Sequence, residues 1–300
     1  MRLRPVIRVP APAPGHPRQT RRRSGRLRPR VAAATAAALA AVLLVGCTAS
    51  GADEPAALVW SDEFDGDAGA PPSTGRWRIL TGAGGWGNDE LQAYTSEADN
   101  VALDGEGHLR IRALAEPTLD AEGRPAAYTS ARIESLQAFT YGRIEARIKV
   151  PAGQGLWSAF WTLGQDHESV GWPRSGEIDV LETFGDTRDL HANAHAASRE
   201  PADGGRWQAL GTTTLDEPLA DGWHVYGVDW TGDALVFTLD GTEHHRILRA
   251  DLSGEQRWPF DGPQVLLLNL AVGGSWPGPP DDSTVFPAEL LVDWVRVHAD

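Results

Sequence analysis

The segment Glu177-Ile178-Asp179-Val180-Leu181-Glu182 places three carboxylates within six positions of a strand-like stretch. Alternate residues of a strand face the same side, so Glu177 and Asp179 share a face, whereas Glu182 in a regular strand faces the other. One β-bulge around Val180–Leu181 absorbs the odd residue and returns Glu182 to the shared face. The segment therefore predicts a bulged strand that presents three acids to one surface, where their mutual repulsion raises the pKa of at least one.

Such a strand has two interpretations. A pair of carboxyl groups about 5–5.5 Å apart is what a retaining glycosidase needs for one nucleophile and one acid/base. The alternative is a half-buried structural strand with a solvated outer face. Acids on a purely structural strand more often alternate with Lys, Arg or Thr, which is not the pattern here. The segment alone leaves both interpretations open, and the rest of the chain must decide between them.

The chain beyond residue 56 has a sequence period of two almost throughout, and no stretch predicts a convincing amphipathic helix. Asp240-Gly241 predicts a hairpin turn between two of its strands. Residues 57–300 contain no linker or repeat and are expected to form one domain. The clearest predicted strands are Tyr141–Val150, Leu235–Leu239, Thr242–Leu248, Gln264–Val272 and Leu290–His298. Many strands joined by Gly- and Pro-rich loops predict an all-β fold of two stacked antiparallel sheets.

The N-terminal 46 residues have the character of an export signal. They contain ten arginines and no acid, and the apolar stretch Val31–Gly46 is short for a membrane span of about 20 residues. Leu44-Val45-Gly46-Cys47 resembles the lipobox of bacterial lipoproteins, and Cys47 is the only cysteine, so no intrachain disulfide can form. We expect residues 1–46 to be a signal peptide and residues 47–56 a lipidated cysteine with its linker. Cleavage and simple secretion is the alternative.

The charge of the chain restricts its partners. The whole sequence has a net charge of −14, and removal of residues 1–46 leaves 17 basic and 41 acidic residues, or −24. So acidic a domain is a poor partner for nucleic acid, anionic polysaccharide or an anionic membrane. A neutral substrate is the natural fit, with membrane contact only through the lipid anchor.

The chain holds twelve tryptophans, which serve either the core or the stacking of sugar rings. The strand pattern places Trp157 and Trp161 on one face, which predicts a stacking ridge or ordinary core packing. Trp172 lies in a loop directly before the acidic strand. Trp86 lies in the loop Gly82–Asn88, whose glycines allow a bound chain to approach the backbone.

These features together resemble glycoside hydrolase family 16. Gly176–Glu182 resembles the bulged form of the family signature. The flanking segments agree with it: Gly85–Gln92, Tyr128–Arg132, Tyr141–Pro151, Gly153–Trp161, Leu268–Gly278 and Val292–Val297. The resemblance covers nearly all of Leu58–Asp300 and is greatest to bacterial laminarinases, endo-acting enzymes on β-1,3-glucan or mixed β-1,3/1,4-glucan. It implies a β-jelly-roll sandwich with a substrate cleft across its concave sheet, and chemistry that requires no cofactor.

The resemblance also assigns roles to individual residues. It implies that Glu177 is the nucleophile, that Glu182 is the general acid and base, and that Asp179 orients Glu177. Asn88 and Arg132 would bind sugar hydroxyls in the glycone part of the cleft, although a surface salt bridge is an equal alternative for Arg132.

One aromatic ring and one imidazole complete the expected binding set. Trp172 is a further candidate for stacking on the sugar. His195 is expected to contact the acid/base or the sugar beyond it, the alternative being a satisfied, half-buried histidine.

The resemblance further implies a structural Ca²⁺ on the convex face, for which Asp293, Glu63 and the carbonyl of Gly107 offer oxygen ligands. We expect a monomer, exported and either lipid-anchored on the outer face of the membrane or secreted. Three alternative functions stay open: a carbohydrate-binding lectin on the same sandwich, an agarase-like galactan hydrolase, and a β-glucan transglycosylase.

Overall fold

β-Strands form nearly all the regular structure of this computed structural model, which describes residues 56–198 and 205–300. The predicted signal peptide, Cys47 and all but the last residue of its linker lie outside the described residues. Within the described ranges, no helix is both long enough and apolar enough to cross a membrane.

Nineteen strands follow one another along the described residues. Their bounds are β1 Leu58–Asp62, β2 Trp77–Leu80, β3 Gln92–Tyr94, β4 Val101–Leu103, β5 Leu109–Ala113, β6 Thr118–Leu119, β7 Pro125–Ala126, β8 Tyr128–Ser130, β9 Arg132–Phe139, β10 Gly142–Lys149, β11 Gly153–Gly164, β12 Glu177–Gly185, β13 Asp189–Ala197, β14 Arg206–Thr214, β15 His224–Trp230, β16 Ala234–Leu239, β17 Thr242–Leu248, β18 Gln264–Val272 and β19 Ala288–His298. Within residues 56–198 and 205–300 the helical turns are α1 His167–Val170 and two 3₁₀ turns, Leu219–Asp221 and Arg249–Asp251.

Two antiparallel sheets contain most of these strands. One has the order β14-β13-β12-β11-β18-β9-β2, and the other has the order β17-β16-β15-β10-β19-β5-β4, with β1 paired to β19. The predicted all-β fold with two stacked antiparallel sheets is therefore confirmed. The acidic strand β12 lies in the middle of the seven-stranded sheet, flanked by β11 and β13.

The period of two in the sequence explains how the sheets pack. On β10, Ile144, Ala146 and Ile148 are buried in the core, while the alternating charged residues face outward and are only partly covered. Every residue of β18 is buried: the strand pairs with β11 and β9 along both edges, and side chains on each of its two faces pack into hydrophobic clusters. The predicted hairpin is also present: Asp240 and Gly241 have φ angles of 50° and 75°, as a two-residue primed turn requires.

Candidate active site

The predicted bulge lies in β12 at the predicted position. Asp179 pairs with Asn193 and Glu182 pairs with His191, so that Val180 and Leu181 together face a single residue of β13. Both extra apolar side chains are buried in the core. Because the bulge absorbs one residue, Glu182 returns to the face of Glu177 and Asp179. All three acids line one cleft of about 630 Å³ on the seven-stranded sheet.

Glu182 has the environment of a general acid. Trp157 donates its indole N–H to one carboxylate oxygen at 3.0 Å, and Asn193 donates its amide N–H to the other at 2.7 Å. The residue is 8% exposed, and this burial, together with the charge of Asp179, raises the pKa of Glu182 to about 8. The two donors oppose the rise without cancelling it. Glu182 is therefore protonated at neutral pH and held in a fixed orientation.

Glu177 and Asp179 form a tight pair beside His195. Burial is the main cause that raises the pKa of both carboxyls, and the negative charge of Asp179 adds to it for Glu177. The positive charges of His195 and Arg132 act in the opposite direction on Glu177. Because Glu177 and Asp179 cannot both be ionised easily when buried side by side, the pair retains a proton at neutral pH, and this proton belongs to the pair rather than to one residue.

The structure corrects the expected contact of His195. Its Nε2 atom lies 3.2 Å from Asp179 Oδ2 and 3.9 Å from Glu177 Oε1, so it contacts the nucleophile pair rather than the acid/base. The cause is the register of β13, which places His195 opposite Glu177. The residue that binds Glu182 from β13 is Asn193, two positions earlier on the same face.

Arg132 is partly buried in the cleft wall and makes no ion pair with any described residue, so the surface salt bridge is wrong as an alternative. Its guanidinium carbon lies 5.1 Å from the ring centroid of Trp86 and 4.5 Å from that of Trp161. Burial lowers the pKa of Arg132, while nearby Tyr94, Glu90 and Glu177 raise it. The side chain is thus a desolvated cation stacked between two indoles.

The tryptophans predicted to form a stacking ridge line the cleft. Trp157 and Trp161 lie four positions apart on the same strand, β11. The indole N–H of Trp161 donates to Asn269 Oδ1 at 2.8 Å. Trp172 also lines the cleft, with 48% of its surface exposed. The guanidinium carbon of Arg206 lies 5.4 Å from its ring centroid. An exposed aromatic ring at the mouth of a cleft is suited to stacking on a sugar.

Residues 88–296 match the model of the family described as Glycosyl hydrolases family 16. The chain belongs to glycosyl hydrolase family 16. It is 38% identical over 271 residues to a beta-glucanase of Rhodothermus marinus, covering 85% of this chain and 91% of the relative. It is 34% identical over 255 residues to a glucan endo-1,3-beta-glucosidase of Cryptopygus antarcticus, covering 79% and 91%.

A solved structure supports the same family assignment. The laminarinase catalytic domain of Thermotoga maritima superposes with a TM-score of 0.74 at 36% identity, covering 82% of this chain and 99% of that domain. The agreement extends over nearly the whole described part of the chain. The jelly-roll sandwich that the resemblance implied is therefore confirmed.

The loop before β3 contributes Glu90, a cleft residue that was not predicted from the sequence. Asn88, predicted to bind sugar, donates to Glu90 at 3.2 Å, and Gln92 and Tyr94 donate to the other oxygen of Glu90. These three hydrogen bonds make the Glu90 carboxyl an anchor that holds Asn88 at the cleft wall, and burial raises the pKa of Glu90. Glu90 lies in Gly85–Gln92, one of the segments that resemble the family, and this position could have identified it as a cleft residue.

Asn193 and Trp276 were also missed. Asn193 lies between two histidines on β13, and only the strand register shows that it reaches Glu182. Trp276 follows β18, lines the cleft with 45% of its surface exposed, and packs edge-on against Trp157 at 5.7 Å. Its place within the predicted family segment Leu268–Gly278 could have identified it.

The residues predicted to bind calcium are engaged with arginines in this structure. Both oxygens of Glu63 accept hydrogen bonds from Arg296, which lowers the pKa of Glu63, and Asp293 accepts one from Arg147. The carbonyl of Gly107 is the one neutral ligand of the predicted set. Calcium needs several free oxygen ligands, so the donor set as it stands does not fit the ion unless both arginines move. Calcium at this position stays a prediction.

Proposed function

We propose that this family 16 protein is a retaining endo-glycosidase that hydrolyses β-1,3-glucan or mixed β-1,3/1,4-glucan. The observation that carries the proposal is the bulged strand β12, which presents Glu177, Asp179 and Glu182 to one aromatic-lined cleft. The named relatives, a beta-glucanase and a glucan endo-1,3-beta-glucosidase, support the substrate class. The acidic character of the mature domain favours an uncharged glycan.

The reaction begins when Glu182 donates its proton to the glycosidic oxygen while the ionised carboxylate of Glu177 attacks the anomeric carbon. The bond from that carbon to the leaving sugar breaks, and a covalent glycosyl-enzyme forms. In the second step Glu182, now a carboxylate, takes a proton from water, and the water oxygen displaces Glu177. Two inversions at one carbon give a product with the original configuration.

The electrostatics of the site support this exchange of roles. In the free enzyme burial raises the pKa of Glu182, and the negative charge held by the Glu177–Asp179 pair adds to the rise, so Glu182 stays protonated. Once Glu177 is esterified it carries no charge, so the pKa of Glu182 falls and the residue becomes an effective base. Glu177 and Asp179 titrate as a coupled pair, so a proton that the pair retains can reside on Asp179 and leave Glu177 ionised despite its burial.

Substrate panels test the proposed substrate class. We expect laminarin to be hydrolysed to a ladder of laminari-oligosaccharides, with barley mixed-linkage glucan cleaved at a lower or similar rate and agarose and xyloglucan untouched. Chromatography of early products distinguishes the alternatives: neo-agaro-oligosaccharides indicate a galactan hydrolase, products longer than the added oligosaccharide indicate a transglycosylase, and binding without any product indicates a lectin.

The hydrogen bond from Asn193 to Glu182 gives a prediction about pH. Asn193→Ala removes a donor that stabilises the ionised carboxylate, so the pKa of Glu182 rises further above its already raised value of about 8. The basic limb of the kcat/KM profile then moves to higher pH by roughly 0.5–1 unit, and kcat falls about tenfold because the acid is less well oriented. A basic limb that stays in place would show that another group controls it.

We also propose that the protein is exported and acts as a monomer outside the cytoplasm, either lipid-anchored through Cys47 or secreted. The basic and apolar leader and its lipobox-like end support this proposal. We propose that the reaction requires no cofactor, since two carboxyl groups suffice for both chemical steps.

A further inference from the structure

The nucleophile end of the cleft brings three metal-ligand groups together. A carboxylate oxygen of Glu177, a carboxylate oxygen of Asp179 and a ring nitrogen of His195 all lie within 4.8 Å of one another. The group spans two adjacent strands, because β12 supplies both carboxylates and β13 supplies the imidazole. Both strands are paired on each side within the sheet, so the backbone restrains all three positions.

A second observation independently indicates a missing ligand. Asp179 is 3% exposed, and its Oδ2 atom has no hydrogen-bond partner. His195 Nε2 lies 3.2 Å from this oxygen without making a hydrogen bond to it, and His195 Nδ1 is also unpartnered. A buried polar oxygen without a partner is costly, and a bound cation between the carboxylates and the imidazole would displace the retained proton and satisfy this oxygen.

The donor set selects a class of ion. Two carboxylates and one imidazole suit Zn²⁺ or Cu²⁺, with a fourth position open to water from the cleft. Mg²⁺ and Ca²⁺ prefer a larger shell of oxygen ligands and are poor occupants of this group. The Glu177 and His195 side chains are 17% and 16% exposed, so an ion can reach them from the cleft.

We propose that, in the absence of glycan, Glu177, Asp179 and His195 bind one divalent transition-metal ion of the zinc or copper class, and that this ion inhibits the enzyme reversibly. The site itself rests on the geometry alone, whereas the inhibition rests on the proposed glycosidase function. A metal ion on Glu177 withdraws the lone pair that attacks the anomeric carbon. It also occupies the space of the reacting sugar, so inhibition is competitive with substrate.

Metal binding is measured without reference to activity. Zn²⁺ titrated into the protein by calorimetry, and Co²⁺ titrated by visible absorption, should each give one site per chain. Glu182→Gln removes the acid but keeps all three ligands, so its affinity for Zn²⁺ should match that of the wild type. His195→Gln should lose at least about tenfold in affinity and the Co²⁺ absorption bands, because it removes the only nitrogen ligand.

His224→Gln is the matched control. His224 Nδ1 lies 2.8 Å from Asp240 Oδ2. His224 does not belong to the group Glu177, Asp179 and His195, so its loss should leave the zinc affinity unchanged. Asp179→Asn is the second test variant should His195→Gln fail to fold, as judged by its near-UV circular dichroism. Zinc affinity unaffected by either ligand variant, or the absence of a single site in the wild type, would overturn the proposal.

The inhibition is tested separately on laminarin. Zn²⁺ should raise KM without lowering kcat, EDTA should restore the original KM, and Mg²⁺ at the same concentration should have no effect. Zinc that binds but leaves KM unchanged would overturn the inhibitory part and keep the site. If the protein cleaves no glycan, the proposed function fails while the binding result, obtained without substrate, still decides whether the metal site exists.

Discussion

Glu177→Gln should lower the rate of laminarin hydrolysis by at least about 10⁴-fold. The amide has the shape of the carboxylate but cannot form the covalent glycosyl ester at a useful rate, so the first step is blocked. Binding contacts from the tryptophans and from Arg132 are untouched, so the affinity for laminari-oligosaccharides should stay within a few-fold of that of the wild type. Initial-rate kinetics and calorimetry with an oligosaccharide measure the two quantities.

The control for this experiment is Glu106→Gln, the same chemical change at an exposed position outside the cleft. It should keep full activity. Circular dichroism of both variants should match that of the wild type, because neither position is part of the hydrophobic core. Substantial laminarin hydrolysis by Glu177→Gln would remove Glu177 as the nucleophile and with it the proposed mechanism.

The acidic strand could be predicted from the sequence because its bulge depends only on residues that are adjacent in the chain. The bulge follows from the order of acidic and apolar residues in Glu177–Glu182: Val180 and Leu181 both gain by burial, and this forces the neighbouring acid back to the cleft face. Strands such as β18 were predictable for the same reason. A continuous apolar run can be accommodated only where both faces of a strand are covered.

The contacts across strands could not be predicted in this way, because they depend on register. Which residue of β13 contacts Glu182 is set by the turn between β12 and β13, where Thr187 has a φ angle of 58°. A shift of one residue there would turn the histidines and Asn193 away from the cleft. The sequence therefore predicted that His195 lines the cleft, while its expected contact with the acid/base was wrong and its contact with the sugar stays a prediction.

The ion pairs beside β1 and β19 could not be predicted from the sequence either. Glu63 and Arg296 lie 233 positions apart in the sequence, and their contact exists only because β1 pairs with β19. In the sequence Glu63 and Asp293 have no identifiable partner, yet in the fold Glu63 pairs with Arg296 and Asp293 pairs with Arg147. Arg132 shows the opposite case. An ion pair with an acid was an open alternative for it in the sequence, but in the fold its guanidinium lies against Trp86 and Trp161.

Glu182→Ala should lower laminarin hydrolysis by about 10³–10⁴-fold, because neither the glycosidic oxygen nor the attacking water then has a proton-transfer partner. An aryl glycoside with a good leaving group needs no acid in the first step, so the variant should accumulate glycosyl-enzyme from it. Azide, a small anion that attacks without base assistance, should then raise turnover by roughly tenfold or more and give the β-glycosyl azide. The α-azide from this variant would exchange the roles of Glu177 and Glu182.

The isosteric change Glu182→Gln should also make the protein more stable. Burial raises the pKa of Glu182 from its ordinary 4.5 to about 8, so the unfolded chain releases this proton at neutral pH whereas the folded protein retains it. Such a group favours the folded state fully only below pH 4.5, and this advantage is lost progressively as the pH rises to 8.

Glutamine has no such dependence on pH, so the variant should exceed the wild type by about 2 kcal/mol at pH 7, with little difference at pH 4. Urea denaturation at both pH values measures this difference. An equal or lower stability at pH 7 would mean that the hydrogen bonds from Trp157 and Asn193 offset the burial of the charge. Burial of the three acids thus lowers the free energy of unfolding at neutral pH, and the same burial keeps Glu182 protonated so that it can act as the acid on bound substrate.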